Sequence, residues 1–248
     1  MMLLALDTST SAVAVALLDL DGGLLAQEHV VDPRGTTELL APLVQRALAA
    51  AGATPADVEL VAVGTGPGPF TSLRVGIVTA RTFALARSVP VLGVPSHDAI
   101  AHEWYLAGGR GPLLVATDAR RKEVYASVYA QAAGDESALP WQLTRGPLVS
   151  RAVDLPEGER VLPTAGRGPS LYPEALANAD GPLDVSAAAL GGVALARHRL
   201  GLDQPTDPLY LRRPDATPSV PRSAIGAQRQ DEQTPGTASA GPAGATQQ

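Results

Sequence analysis

The feature that most constrains this chain is the stretch from Val61 to Arg87, VAVGTGPGPFTSLRVGIVTARTFALAR. Pro67 and Pro69 can neither continue a strand ladder nor sit inside a helix, so a strand must end near Gly64 and a helix begin near Phe70. Gly64, Gly66 and Gly68 permit positive φ and close approach of another backbone or a ligand, and Thr71 or Ser72 is expected to cap the following turn. A strand, glycine turn and helix N-terminus can hold an anion. The pattern is nevertheless not GxxxxGK[ST], and Lys122 is the only lysine in the chain. Read without a ligand, the turn is a strand-to-helix connection with strict backbone demands. Along the helix, Leu73, Ile77, Ala80 and Ala84 recur at helical spacing, and Gly76 with Ala80 leaves a smooth flank where a second helix could pack.

The 248 residues are 45% hydrophobic, enough for a real core in one large domain or two small ones. No apolar run reaches the roughly 20 residues that span a bilayer. The apolar start MMLLALD has no basic leader and meets Asp7 at once, which argues against a signal peptide and for a cytoplasmic protein. Zero cysteines exclude disulfides, thiolate zinc sites and a cysteine nucleophile. The formal charge of −6, with no basic block beyond Arg120, Arg121 and Lys122, makes the chain a poor nucleic-acid binder by itself.

In chain order, Leu3 to Leu6 and Val13 to Leu18 read as a hairpin whose tip carries Asp7, Thr8, Ser9, Thr10 and Ser11, and Leu24 to Val31 follows the Asp21-Gly22-Gly23 turn as a third strand. Thr37 to Ala51 then has helical period, and Asp57 to Val63 leads into the glycine turn. With Val89 to Val94 the order is β-β-β-α-β-α-β, that of actin-like ATPases, although ribonuclease H-like enzymes share it. Leu113 to Thr117, Glu123 to Ala130 and Trp141 to Leu148 partly repeat the scheme. Arg160 to Thr164 is a candidate strand, Tyr172 to Leu176 a candidate short helix, and Ser186 to Arg199 a helix despite Gly191 and Gly192. The boundaries expected are an N-terminal lobe over 1–106, a C-terminal lobe over 107–214, with a return of its late helix to the first lobe as the alternative, and a tail over 215–248. In that tail 27 of 34 residues are Ala, Pro, Gly, Ser, Thr or Gln, too few apolar groups to offset ordering entropy, so disorder is expected. His29, His97, His102 and His198 have no ligand spacing and read as surface or hydrogen-bonded side chains.

The segments LLALDTSTSAVAVALLD, GTGPGPFTSLRVGIVTARTFA, ATDARRKEVYASVY and DPLYLRRP together resemble the TsaB (YeaZ) family of bacterial tRNA threonylcarbamoyladenosine synthesis proteins, over essentially Met1 to Pro214. The resemblance implies an α/β actin-like ATPase (ASKHA) fold with two lobes, each a mixed sheet with flanking helices. It implies a subunit that does not do the chemistry but pairs with the catalytic paralogue TsaD, which modifies adenosine 37 of tRNA, together with the ATPase TsaE. It also implies a homodimer in isolation, contact with tRNA only through the complex, and no cofactor of its own, ATP or ADP lying at the complex interface. Pairing would use the helices matching Thr37 to Ala51 and Thr71 to Arg87, with Leu39, Leu43, Leu73, Ile77 and Ala80 as contacts. An amphipathic helix buries one stripe against its own sheet, so about half of these are expected to face inward. Many members carry a histidine near the start of the first helix, where this chain has Thr36.

Two functions compete. In one the chain is a non-catalytic dimerisation subunit, with Asp7, Thr8, Ser9 and Thr10 a vestigial phosphate loop. In the other it is an active actin-like ATPase or small-molecule kinase, those residues holding phosphate and Asp118 placing Mg²⁺ or acting as base. Ala119 and Arg120, standing where Asp-x-Gly would leave room, favour the first. A peptidase reading finds no Ser/His/Asp arrangement in the spacing.

Overall fold

The structure, a computed structural model, describes residues 1–33, 35–132 and 139–212. The tail from 215 to 248, and most of the loop expected between Gly134 and Pro140, lie outside the described residues. Met1–Arg213 form one compact unit.

Its first half holds β1 (Met2–Asp7), β2 (Ala12–Asp19), β3 (Leu24–Val31), α1 (Thr36–Ala50), β4 (Val58–Gly64), α2 (Phe70–Arg87), β5 (Val91–Val94) and α3 (Ser96–Leu106). The sheet order is β3-β2-β1-β4-β5, with β1 antiparallel to β2 and parallel to β4. β1 is therefore central and covered on both faces, which is why Leu3, Leu4, Ala5 and Leu6 form an uninterrupted apolar run. One face, with Leu4, Leu6, Val15, Val61 and Val63, packs on α1 and α2. The other, with Leu3, Ala5, Ala16 and Ala62, packs on α3 and on the late helix α6 (Ala187–Arg199). Gly191 makes that second contact close: a Cβ there would stand 2.7 Å from Leu18.

The second half holds β6 (Leu113–Asp118), β7 (Val124–Gln131), β8 (Trp141–Ser150), α4 (Glu157–Arg160), β9 (Thr164–Ala165) and α5 (Gly168–Leu171). Its sheet order is β8-β7-β6-β9, again with the first of its strands in chain order antiparallel to the next and parallel to a later one. Two mixed sheets with flanking helices give the actin-like arrangement that the element order implies.

Several expectations need correction. Leu43, Ile77 and Ala80 are buried in the molecule's own core between α1, α2 and the first sheet, half-buried Leu39 packs on the same cluster, and Leu73 is fully buried beside the glycine turn at Gly66. They are the inward stripe of their helices, so they are not surface contacts. The Gly76–Ala80 flank is likewise occupied, since a Cβ on Gly76 would collide with Thr8. No side chain caps α2: its N-cap is Pro69, and Thr71 and Ser72 lie inside the first turn. α3 has no counterpart in the sequence reading, because Ala99, Ile100, Ala101, Trp104 and Tyr105 bury it almost all round and leave no polar stripe to mark a period. The candidate strand at Arg160 to Thr164 shrinks to Thr164–Ala165, and the short helix lies at Gly168–Leu171, ahead of Tyr172.

Leu73→Asp and Ala80→Arg each bury an unpaired charge, a change that costs more than about 4 kcal/mol. Circular dichroism during a thermal or urea scan should show neither variant retaining the wild-type cooperative transition. A melting curve that overlays the wild type would contradict the burial.

Candidate functional site: the Asp7 cradle, the closed cleft and the outer face of α2

Asp7 ends β1 with no exposed surface. Its Oδ1 accepts from the Ser9 backbone N–H at 2.8 Å and the Ser9 hydroxyl at 2.7 Å, and its Oδ2 accepts from the Ser96 hydroxyl at 2.6 Å. Ser96 Oγ also accepts from Gly66 N at 3.0 Å, and Ser96 N donates to the Gly66 carbonyl at 2.7 Å. The glycine turn is thus tied to the hairpin tip through one serine at the start of α3. Gly64 must lack a side chain because a Cβ would run into the Asp7 carboxylate, and one on Gly68 would meet the Ser9 backbone, 2.9 Å from its Cα. Burial pushes the Asp7 carboxyl above the usual aspartate range, more strongly than the Ser96 and Ser9 hydrogen bonds pull it down.

Two more hydroxyls of the tip meet partners within the molecule. Thr8 Oγ1 donates to the Ser72 carbonyl at 2.7 Å, and Thr10 Oγ1 accepts from Ala12 N at 3.4 Å. Ser9, Thr10 and Ser11 do line a cleft with Pro69, Thr117 and Asp118, but its free volume is about 20 Å³, room for about one water. Asp118 faces inward only partly: its Oδ1 accepts from Arg120 N at 2.7 Å, and its Oδ2 pairs with the Arg120 guanidinium at 3.3 Å. Arg167 and Asp184, joined by a forked ion pair, form another wall. A groove of about 400 Å³ lies on the far side of that pair against Ala14, Gln27 and Glu103, and none of the residues from Asp7 to Ser11 or Gly64 to Pro69 lines it.

Two of the four histidines are structural. His97 is held between Ser127 Oγ and Thr117 Oγ1, both at 2.8 Å, and burial lowers its pKa to about 3. His102 accepts from the Trp141 indole at 3.3 Å and is lowered to about 4 by burial and by Arg197. Thr36 is buried at the start of α1. Sequence reasoning placed Arg167 in a Gly166–Gly168 turn but gave neither it nor Ser96 or Asp184 a role in the site; hydrogen-bonding capacity is their only signal, and the helix that carries Ser96 was not read.

The outward stripe of α2 is a different set from the predicted contacts: Thr71, Arg74, Val78, Arg81, Thr82 and Leu85 are exposed. Val78 at 58% and Leu85 at 81% exposure stand one face apart by seven residues, an apolar pair rimmed by arginines.

Residues 32–140 match the family model for tRNA N6-adenosine threonylcarbamoyltransferase, TsaD. An uncharacterised protein of Mycobacterium tuberculosis is 40% identical over 219 residues, covering 87% of this chain and 93% of that one. YeaZ from Pseudomonas aeruginosa superposes with a TM-score of 0.70 at 30% identity, over 85% of this chain and 99% of the YeaZ chain. The chain belongs to the TsaB (YeaZ) family. The TsaB of Escherichia coli, described as a tRNA threonylcarbamoyladenosine biosynthesis protein, is 38% identical over 129 residues, 52% of this chain and 55% of its own. This family member thus spans about half the length of the curated TsaB relatives it matches.

In this TsaB-family chain Asp7 binds its proton more tightly folded than unfolded. Its contribution to stability is therefore complete below the ordinary aspartate value, about 4, and is lost as the pH rises through the folded-state value. Asp7→Asn removes that titration. Urea midpoints measured across the acid range should show the wild type losing ground to the variant as the pH rises from about 4; a constant gap at every pH would mean Asp7 is not desolvated as described.

Proposed function

We propose that the chain is a non-catalytic subunit of the machinery that makes N6-threonylcarbamoyladenosine at position 37 of tRNA, binding a TsaD-type catalytic subunit with TsaE in the same assembly. The observation that carries this reading is the conjunction of TsaB-family membership with a phosphate loop closed on its own hydroxyls. A nucleotide needs a pocket of several hundred Å³, against the roughly 20 Å³ left here. The kinase reading would also need Asp118 free for Mg²⁺, whereas both of its oxygens already meet Arg120. The subunit needs no cofactor of its own; ATP or ADP belongs at the interface of the complex, and the working compartment is the cytoplasm. No helix among the described residues is long and apolar enough to cross a membrane.

The docking surface in this reading is the outer stripe of α2, Val78 and Leu85 with Arg74 and Arg81, and the same stripe serves self-pairing when the chain is alone. Its apolar centre and cationic rim fit the anatomy of a protein contact.

Mixed at micromolar concentration with a TsaD-type protein, the chain should form a complex visible by light-scattering mass. Val78→Asp with Leu85→Asp should weaken that complex at least about 100-fold, in keeping with apolar centres dominating contacts, while leaving the monomer's melting temperature unchanged. Association undisturbed by the pair would remove α2 from the interface. The purified chain alone should release no phosphate from ATP; turnover abolished by Asp7→Ala would restore the kinase reading.

A further inference from the structure

The turn between β6 and β7 is unusual. Arg120, Arg121 and Lys122 take φ of 61°, 53° and 62°, three successive side chains in the left-handed region, where among the described residues Ser88 is the only other non-glycine. Each such residue costs about 1 kcal/mol or more. A glycine or asparagine would relieve that cost, yet all three positions carry cationic side chains, and all three are exposed.

The turn does not stand alone. The C-terminal strap of described chain crosses from the first sheet to reach it. Leu209 N donates to the Thr65 carbonyl at 2.8 Å, Tyr210 packs on Phe70 with ring centroids 4.8 Å apart, and Arg212 donates to the Ala119 carbonyl at 2.9 Å and pairs with Glu123. Arg74 covers the Phe70 ring with its guanidinium 5.0 Å from the centroid. A continuous strip therefore runs from Arg74 through Phe70, Tyr210 and Arg212 to the turn. It gathers five cationic side chains and two carboxylates, Asp118 and Glu123, in a molecule whose formal charge is −6.

We propose that this strip binds a single-stranded segment of RNA, the cationic turn meeting consecutive phosphates and the exposed Tyr210 ring, backed by Phe70, offering a face for an unpaired base. Charge complementarity selects a polyanion. The exposed aromatic edge beside arginine selects RNA over an acidic protein segment, because base stacking and phosphate pairing are the two elements of single-strand recognition. The inference rests on the tRNA-modification reading for the identity of that RNA. The net charge makes the whole chain a poor nucleic-acid binder by itself, but a strip with a local excess of cations acts within a Debye length, about 10 Å at 0.1 M salt.

The test uses the full chain, alone and mixed with a TsaD-type protein, titrated into labelled tRNA transcript at 50 to 300 mM salt. Arg121→Glu with Lys122→Glu should weaken tRNA binding at least about tenfold at the lowest salt and make the slope of log K against log salt shallower by about 1.5, since each lost phosphate contact removes about 0.7 to 0.9. Tyr210→Ala should weaken it severalfold with the slope unchanged. Equal affinity of wild type and charge variant in both settings would overturn the proposal even when the complex assembles normally. So would a charge variant that no longer joins the TsaD-type protein yet binds tRNA as before, because the strip would then be a protein-docking face. A wild-type chain that binds tRNA through the strip but ignores TsaD would leave this inference standing and overturn the assembly reading instead.

Discussion

The fold turns on one desolvated carboxylate. Asp7 sits at the end of the central strand, and its two oxygens are the meeting point of the hairpin tip and the start of α3. Ser96 extends the network by accepting from Gly66 N, so a turn containing two prolines and three glycines is held by a side chain thirty positions away. Without that link the glycines would leave the turn loose, because they have the most conformational entropy to lose. The direction of α2 follows from the turn, and the position of α2 decides which of its residues face the sheet. Gly64 and Gly68 are then required by contact with Asp7 and Ser9, beyond any ligand.

In an actin-like scaffold the same loop would be expected to present donors to phosphate. Here three of its hydroxyls are engaged within the molecule: Thr8 donates to α2, Ser9 donates to Asp7, and Thr10 accepts from Ala12 and Val185. A phosphate would have to compete with bonds that are already buried, where each broken one leaves a desolvated group and costs about 1 to 3 kcal/mol. The Arg120 backbone and guanidinium finish the closure from the second sheet by holding Asp118. Loss of room and loss of the Thr8 and Ser9 donors thus have the same origin, a cleft filled by its own side chains.

How much of this the sequence could tell depends on how local the signal is. The first sheet was legible because short apolar runs, a diglycine turn and the proline-bounded strand end all act within a few residues. The partition of α2 was legible only in part: Leu73, Ile77, Ala80 and Ala84 were correctly read as one stripe, but periodicity does not say whether a stripe faces the molecule's own sheet or a partner. The structure settles it inward. α3 was invisible because a helix buried on nearly every side has no polar face to set its period, and with α3 went Ser96, the residue on which the cradle depends. The Arg167–Asp184 pair was hidden for a different reason, since ion pairs across irregular segments leave no pattern in either segment alone.

α3 also ties the two sheets together. Its first turn reaches the second sheet through His97, clasped by Thr117 and Ser127, and through Asp98, which accepts from the Tyr129 hydroxyl at 2.7 Å and from Arg197 of α6 at 2.6 Å. Burial raises the Asp98 carboxyl while Arg197 and Tyr129 act against it, and burial keeps His97 neutral, so the joint carries one compensated ion pair and otherwise neutral bonds. Opening the lobes would expose or orphan every one of these groups together, because they share a single helical turn. A nucleotide-driven hinge needs two arrangements of similar energy. A joint built from buried, mutually satisfied polar groups strongly favours one, in keeping with the docking role proposed above.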